Sequence, residues 1–207
     1  MLPGPTQIKK CSECSNLIEQ PTIVSGNSFG ARFWTDGKMD APMLPDEPRL
    51  IKCPYCNALI WIEDLDEVAE VMPWDKTEIS IRAKPFIVPK FRECISLLKT
   101  VEHTREKEKY LRIRAWWAGN DKRRTAATKK DLSKGEQQNL QPLLELLDVS
   151  DEQERLMSSE INRELGQFDK AKACLEGEFS DDLADTASLI RQLIQHRDTF
   201  VQEIVYR

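Results

Sequence analysis

Four cysteines in the first 56 residues form two Cys-x2-Cys pairs, and this spacing constrains the fold more than any other feature of the sequence. Two thiolates separated by two residues can turn toward one metal ion, and two such pairs complete the tetrahedron that zinc prefers. Four protein ligands leave no open position for a catalytic water. We therefore predict that one structural zinc ion is bound by Cys11, Cys14, Cys53 and Cys56.

Other uses of paired thiols fit the sequence less well. The chain has no signal-like apolar segment and no stretch long enough to span a membrane, so we expect a cytoplasmic protein with reduced thiols. A redox Cys-x-x-Cys opens a helix, whereas Cys53 is followed by a proline and a short apolar run. An iron or iron–sulfur centre is an alternative that four thiolates also allow. Cys94 and Cys174 fall on apolar helical positions, which favours core packing.

Residues 1–63 are rich in prolines and turns and predict a small β-rich domain. The run 31–35 is followed by Asp36 and Gly37, a dipeptide that favours a tight hairpin turn. The apolar run 59–62 predicts a second strand directly after the second cysteine pair. We interpret residues 1–63 as a zinc ribbon with a long inserted hairpin, which needs its metal to fold because so short a segment buries little apolar area.

Residues 64–88 predict a short helix followed by a connector. Leu65, Val68, Ala69 and Met72 recur at helical spacing before Pro73 ends the run.

Residues 89–207 predict a larger all-α domain, so the fold class of the whole chain is α+β. Amphipathic spacing begins at Phe91, and the next helical stretch is expected to end near Gly119. Two capping boxes, Ser133 with Glu136 and Ser150 with Gln153, mark two further helix starts. The last helix begins after Ser180, and its apolar stripe extends to Ile204 as a capping helix or, alternatively, a dimer seam.

Residues 158–175 resemble half of a tetratricopeptide repeat. Ser159 is the small residue of the first helix, Gly166 stands at the turn, and Phe168, Ala171 and Leu175 pack the second helix. Arg155 and Asn162 depart from this pattern, where the family has large apolar residues. Gly119 lies in a similar context 47 residues earlier, which allows a diverged pair, although the sequence shows no regular array.

The whole chain resembles uncharacterised bacterial proteins that join an N-terminal zinc ribbon to tetratricopeptide-like helices. The phrases SGNSFGARFWTDGK and KCPYCNALIWI carry this resemblance. It implies an architecture and brings no known activity or catalytic residue with it.

The distribution of charge bears on the choice of partner. Residues 101–134 carry a net charge of +6, whereas residues 135–207 carry −9. Such charges usually cover solvated helix faces, but basic side chains beside tryptophans also suit a phosphate backbone. The candidate partner-binding residues are Trp34, Trp61, Trp116, Trp117, Arg112, Arg123 and Arg124.

These features favour a non-enzymatic zinc protein that binds a protein partner in a helical groove and acts as an adaptor or regulator. The alternative is a zinc-ribbon protein that binds nucleic acid with help from residues 105–130. The acidic C-terminal segment of the chain opposes this alternative, because it would repel a phosphate backbone. An enzyme is the third possibility. His103 and His196 stand alone in the sequence, and no arrangement of residues in it indicates catalysis. The oligomeric state is a monomer or a dimer.

Overall fold

A computed structural model describes residues 1–124 and 130–205. The fold is mixed α+β, with strands concentrated in the N-terminal part and helices in the C-terminal part. Contacts divide the chain into two compact units: unit 1 is Met1–Ala31 and Asp40–Pro89, and unit 2 is Arg32–Met39 and Lys90–Arg207. None of the helices in the described parts of the chain is long and apolar enough to cross a membrane.

Unit 1 contains most of the strands. A four-stranded sheet has the order Lys84–Pro85 (β10), Leu17–Gln20 (β3), Thr6–Lys10 (β2) and Asp66–Val71 (β9). In it β2 pairs antiparallel with both β3 and β9, while β10 runs parallel to β3. Two smaller antiparallel pairs are β1 with β4 and β7 with β8. The strands of unit 1 are β1 Leu2–Pro3, β2 Thr6–Lys10, β3 Leu17–Gln20, β4 Ile23–Ser25, β7 Leu50–Lys52, β8 Leu59–Trp61, β9 Asp66–Val71 and β10 Lys84–Pro85, and the one short helix is α1 Glu78–Arg82.

Two small apolar clusters hold unit 1 together. The first surrounds the cysteines and includes Ile18, Ile51 and Ile60. The second joins Ile8 of β2 to Val71 of β9. The predicted strand at 59–62 is confirmed by β8, which follows the second cysteine pair and pairs with β7.

The predicted helix after Asp64 is wrong, because residues 66–71 form β9. Leu65, Val68, Ala69 and Met72 match a helical period, but the partner strand decides the conformation here. Ile8 of β2 lies opposite Ala69, and a register shift follows between Ile8 and Lys9. Alternate positions such as Ala69 and Val71 then share one face of the strand, which local spacing could not distinguish from a helix face.

The predicted hairpin at Asp36 and Gly37 is confirmed. Strand β5 (Arg32–Trp34) and strand β6 (Met39–Asp40) are neighbours in a three-stranded sheet, and Gly37 adopts a φ of 78°. The third strand, β11 (Glu203–Ile204), pairs antiparallel with β5. Residues 32–39 therefore belong to unit 2 by their contacts, although they lie between the two cysteine pairs in the sequence.

Six helices make up the rest of unit 2 as described. Ser133 and Glu136 form the predicted capping box of α4, whereas α5 is capped by Asp151, one residue after the predicted Ser150. The helices are α2 Phe91–Thr100, α3 Arg105–Arg124, α4 Lys134–Leu146, α5 Glu152–Glu164, α6 Phe168–Cys174 and α7 Asp181–Gln195.

Two predicted helix ends are wrong. Helix α3 continues through Gly119 to Arg124. The glycine leaves room for Glu136 of α4, because a Cβ atom at position 119 would lie 2.5 Å from Oε1 of that side chain. Gly166 instead has a φ of 71° and forms the turn between α5 and α6. The two glycines therefore have different roles and do not mark a repeat. Helix α7 ends before His196, and Ile204 lies in β11 rather than on a helix.

Candidate metal centre

The first cysteine pair lies in a tight turn directly after β2. The Cys11 amide donates to the Asn16 carbonyl at 2.9 Å, and the Ser15 amide donates to the Cys11 carbonyl at 2.9 Å. Ser15 has a φ of 58°, in the left-handed region where the chain can reverse direction sharply. This turn directs the sulfurs of Cys11 and Cys14 toward a common point.

The second cysteine pair repeats the same turn after β7. The Cys53 amide donates to the Ala58 carbonyl at 2.9 Å, and the Asn57 amide donates to the Cys53 carbonyl at 3.1 Å. Asn57, in the position that corresponds to Ser15, has a φ of 63°. Asparagine tolerates this region better than most residues, because its short side chain can bond locally. The two cysteine turns thus have the same backbone geometry, although their sequences differ.

The four sulfurs lie at the corners of a compact group, here named the cysteine cluster (Cys11, Cys14, Cys53 and Cys56). All four lie within 4.8 Å of one another. The Sγ atoms of Cys11 and Cys56 are 3.8 Å apart, and so are those of Cys14 and Cys53. Sulfurs bound at about 2.3 Å to a tetrahedral zinc ion lie about 3.8 Å from one another. The separations therefore fit a zinc ion, and they are too long for disulfide bonds.

The environment of the cysteine cluster shifts the pKa values of Cys11 and Cys14 in opposite directions. Burial raises the pKa of Cys11 to about 12, so its thiol would stay protonated alone. The Asn16 side chain, whose Nδ2 lies 3.3 Å from Cys14 Sγ, lowers the pKa of Cys14 to about 6. A divalent cation displaces thiol protons on binding, which overcomes the resistance at Cys11. Cys11 and Cys53 are buried, whereas Cys56 is exposed, so the cluster reaches the surface on one side.

Hydrogen bonds to the sulfurs come from residues that the sequence did not single out. Asn16 donates to Cys14, and the Tyr55 amide donates to Cys53 Sγ at 3.5 Å. Such donors neutralise part of the charge on a metal-bound thiolate and orient it. The position of Asn16, two residues after the second cysteine of its pair, is the one signal that could have identified it.

The chain matches no protein-family model, no curated protein and no solved structure.

The seven candidate partner-binding residues are divided between the two units. Trp61 lies in β8 of unit 1 and is 9% exposed. Trp34 and Trp116 belong to unit 2 and are 6% and 2% exposed. Trp117 is half-buried and donates through Nε1 to the Asp36 carbonyl at 3.0 Å. These four tryptophans therefore contribute mainly to the interior.

The three candidate arginines of α3 have carboxylate partners in unit 2. Arg112 lies 2.7 Å from Glu108, and Arg123 lies 2.9 Å from Glu136. Arg124 pairs with both Asp36 and Asp121. Residues 125–129 of the predicted nucleic-acid segment lie outside the described residues. These three arginines are therefore paired, and two of their carboxylate partners, Asp36 and Glu136, come from outside residues 101–134.

Unit 2 contains a second group of interacting polar residues, here named the buried ionic cluster (Asp36, Asn120, Arg124, Glu160, Arg163 and Glu164). Asn120 Nδ2 donates to Asp36 at 2.8 Å and to Glu164 at 3.0 Å. Arg163 donates to both oxygens of Glu160 at 2.8 and 2.5 Å. Sequence patterns gave no indication of this cluster, because its members are charged residues and one asparagine that are scattered over 36, 120–124 and 160–164.

Proposed function

We propose that this chain is a zinc protein in which one ion, held by Cys11, Cys14, Cys53 and Cys56, is structural. The carrying observation is the separation of the sulfurs, since two pairs at 3.8 Å match the edges of a zinc–sulfur tetrahedron. Four thiolates fill the coordination sphere and leave no position for a substrate or an activated water. The ion would then stabilise a unit whose apolar clusters are small.

Metal analysis of the purified full chain tests this assignment. The wild-type chain is expected to carry about one zinc ion, and Co²⁺ in its place should give the strong visible absorption of a tetrahedral thiolate site. Cys56→Ser removes the exposed ligand and should lower the zinc content sharply. Cys174→Ser is the matched control, because it removes a thiol outside the cysteine cluster and should leave the zinc content unchanged. Equal zinc loss in both variants would contradict the assignment.

We further propose that the helical unit binds a protein partner and that the chain acts as an adaptor or regulator. Consecutive packed helices, such as α3 with α4 and α5 with α6, can present a continuous surface to a partner. The pairing of Arg112, Arg123 and Arg124 with carboxylates favours this over the nucleic-acid alternative, which needs free cations.

The partner proposal is tested with the tagged full chain in a lysate treated with nuclease. A single protein recovered in stoichiometric amount, and lost when untagged chain is added as competitor, is the expected result. Binding of generic duplex or single-stranded nucleic acid that weakens steeply with salt, without such a protein, would contradict the proposal and support the nucleic-acid alternative.

A further inference from the structure

Eight residues of the N-terminal region are part of the helical unit. Residues 32–39 belong to unit 2, whereas the segments on both sides, up to Ala31 and from Asp40, belong to unit 1. These eight residues, here named the docking hairpin, lie in the 38 residues that separate Cys14 from Cys53. The docking hairpin therefore belongs to unit 2, although in the sequence it lies between the two cysteine pairs of unit 1.

The docking hairpin supplies buried polar groups to unit 2. Asp36 and Thr35 are 0% and 3% exposed. Asp36 accepts hydrogen bonds from Arg124 and Asn120. Thr35 donates through Oγ1 to Glu160 at 2.5 Å and accepts from the Gln202 amide at 3.1 Å. Every helix of unit 2 that contributes to the buried ionic cluster thus bonds the hairpin.

The hairpin also covers apolar and backbone groups. Trp34 is 6% exposed, and the Arg124 guanidinium lies 4.9 Å from the centre of its ring. Strand β11 pairs with β5 through Glu203 opposite Trp34. Removal of the hairpin would leave Arg124 and Asn120 without Asp36 and would leave β11 without its partner strand. Asp36 is the fully buried carboxylate partner of Arg124, whereas Asp121 is partly exposed, so the packed arrangement of α3 and α5 depends on the hairpin being docked.

The cost of docking depends on the state of the flanking chain. When unit 1 is folded, the residues on both sides of the hairpin are already ordered, so docking must order only eight further residues. When unit 1 is unfolded, the hairpin is joined to α2 only through residues 40–89, and docking must close that long flexible segment. Loop closure is more costly for the longer segment, and the flanking residues must also lose their backbone freedom.

From this arrangement we infer that metal binding at the cysteine cluster stabilises the helical unit through the docking hairpin. The inference rests on the proposed zinc site and adds a consequence for unit 2. Metal folds unit 1, folded unit 1 presents the hairpin with both ends ordered, and the docked hairpin satisfies Arg124, Asn120 and Glu160. Metal occupancy thus controls the stability of the unit proposed to bind the partner.

Amide hydrogen exchange of the full chain, read by mass spectrometry, tests the inference. Zinc removal with a chelator should lower the protection of peptides from α3 and α5 at least about tenfold, and restored zinc should recover it. Cys56→Ser should reproduce the loss. Ser12→Ala, an exposed substitution within the first cysteine pair, is the matched control and should keep full protection.

The variant Asp36→Asn separates the docking step from the metal site. It should retain about one zinc ion while α3 and α5 lose protection, and zinc removal should then cause a smaller further loss than in the wild type. Zinc bound and removed with no change in α3 and α5 would overturn this inference alone, as would an undiminished effect of zinc removal in Asp36→Asn. A chain that binds no metal would overturn the proposed zinc site and this inference with it.

Discussion

The cysteine cluster and the buried ionic cluster differ in the interactions that hold distant segments of the chain together. Each joins segments that are far apart in the sequence: residues 11–14 with 53–56 in unit 1, and residue 36 with 120–124 and 160–164 in unit 2. The proposed zinc site would join its segments through an external cation, which displaces the proton of the buried Cys11 thiol on binding. The buried ionic cluster contains its own cations, Arg124 and Arg163. Under the proposed zinc assignment, unit 1 depends on metal supply, whereas unit 2 depends on internal charge balance.

The largest expected effect is the loss of one buried cysteine. Cys53→Ser should abolish zinc binding and unfold unit 1, because metal binding contributes about 10–16 kcal/mol of apparent free energy in small zinc domains. Amide exchange in β2 and β9, measured beside the zinc content, checks this. Ser12→Ala should behave as the wild type, and protected β2 and β9 amides in a zinc-free Cys53→Ser chain would contradict the prediction.

The next largest effect is expected in the buried ionic cluster. Arg163 is 0% exposed and bonds Glu160 together with the carbonyls of Asp198 and Phe200. Arg163→Ala should lower the free energy of unfolding of unit 2 by about 3–5 kcal/mol, because Glu160 is left as an unpaired buried charge.

Denaturant unfolding followed through the helical signal measures this loss for Arg163→Ala. Arg92→Ala, on an exposed position of α2, is the control and should change stability by less than about 0.5 kcal/mol. Zinc content should remain at about one ion in both variants. A stability equal to that of the wild type in Arg163→Ala would show that Glu160 is balanced by another group.

The difference between the two clusters also explains what the sequence could predict. The cysteine cluster follows from two local motifs, so its four residues could be named from the amino-acid sequence alone. The docking hairpin was predicted as a hairpin from Asp36 and Gly37, but its burial in unit 2 depends on Asn120 and Arg124, more than 80 residues away. Charged residues are usually solvated, so the sequence offered no reason to bury Glu160 and Arg163.

Element types were predictable where one local signal dominated and unreliable where tertiary packing decided. The capping box at Ser133 and the turn at Gly166 are local and were correct. Strand β9 was mistaken for a helix because its pairing with β2 is not visible in local spacing. Gly119 was mistaken for a helix end because the side chain it accommodates, Glu136, lies on another helix.

A pH-dependent effect is expected at Glu164. Burial, with the nearby carboxylates of Glu160 and Asp36, raises the pKa of Glu164 to about 8, from 4.5 for an ordinary glutamate. At pH values between 4.5 and about 8, Glu164 is protonated in the folded state and ionised in the unfolded state. The contribution of Glu164 to stability is therefore present at low pH and is lost as pH rises toward 8.

Glu164→Gln tests this proton, because the amide keeps an oxygen that can accept from Trp116 and Asn120 but cannot ionise. The unfolding free energy of wild-type unit 2 should fall by about 1 kcal/mol per pH unit between about pH 6.5 and 8 with zinc in excess, and by less in the variant. Equal slopes in both chains would contradict the assignment of a buried proton to Glu164.

The smallest effect is expected for the hydrogen bond to Cys14. Asn16→Ala removes the donor 3.3 Å from Cys14 Sγ and should weaken zinc binding by about tenfold, or about 1.4 kcal/mol, without loss of the site. Competition with a chromophoric chelator measures this, with Ser12→Ala as the control. An unchanged affinity would show that Asn16 supports only the turn.

X-ray absorption at the zinc edge of the purified full chain tests the central claim most directly. One zinc ion per chain, with four sulfur ligands at about 2.3 Å and no nitrogen or oxygen ligand, is the predicted result. A chain without zinc, iron in its place, or a zinc ion with fewer than four sulfur ligands would contradict it.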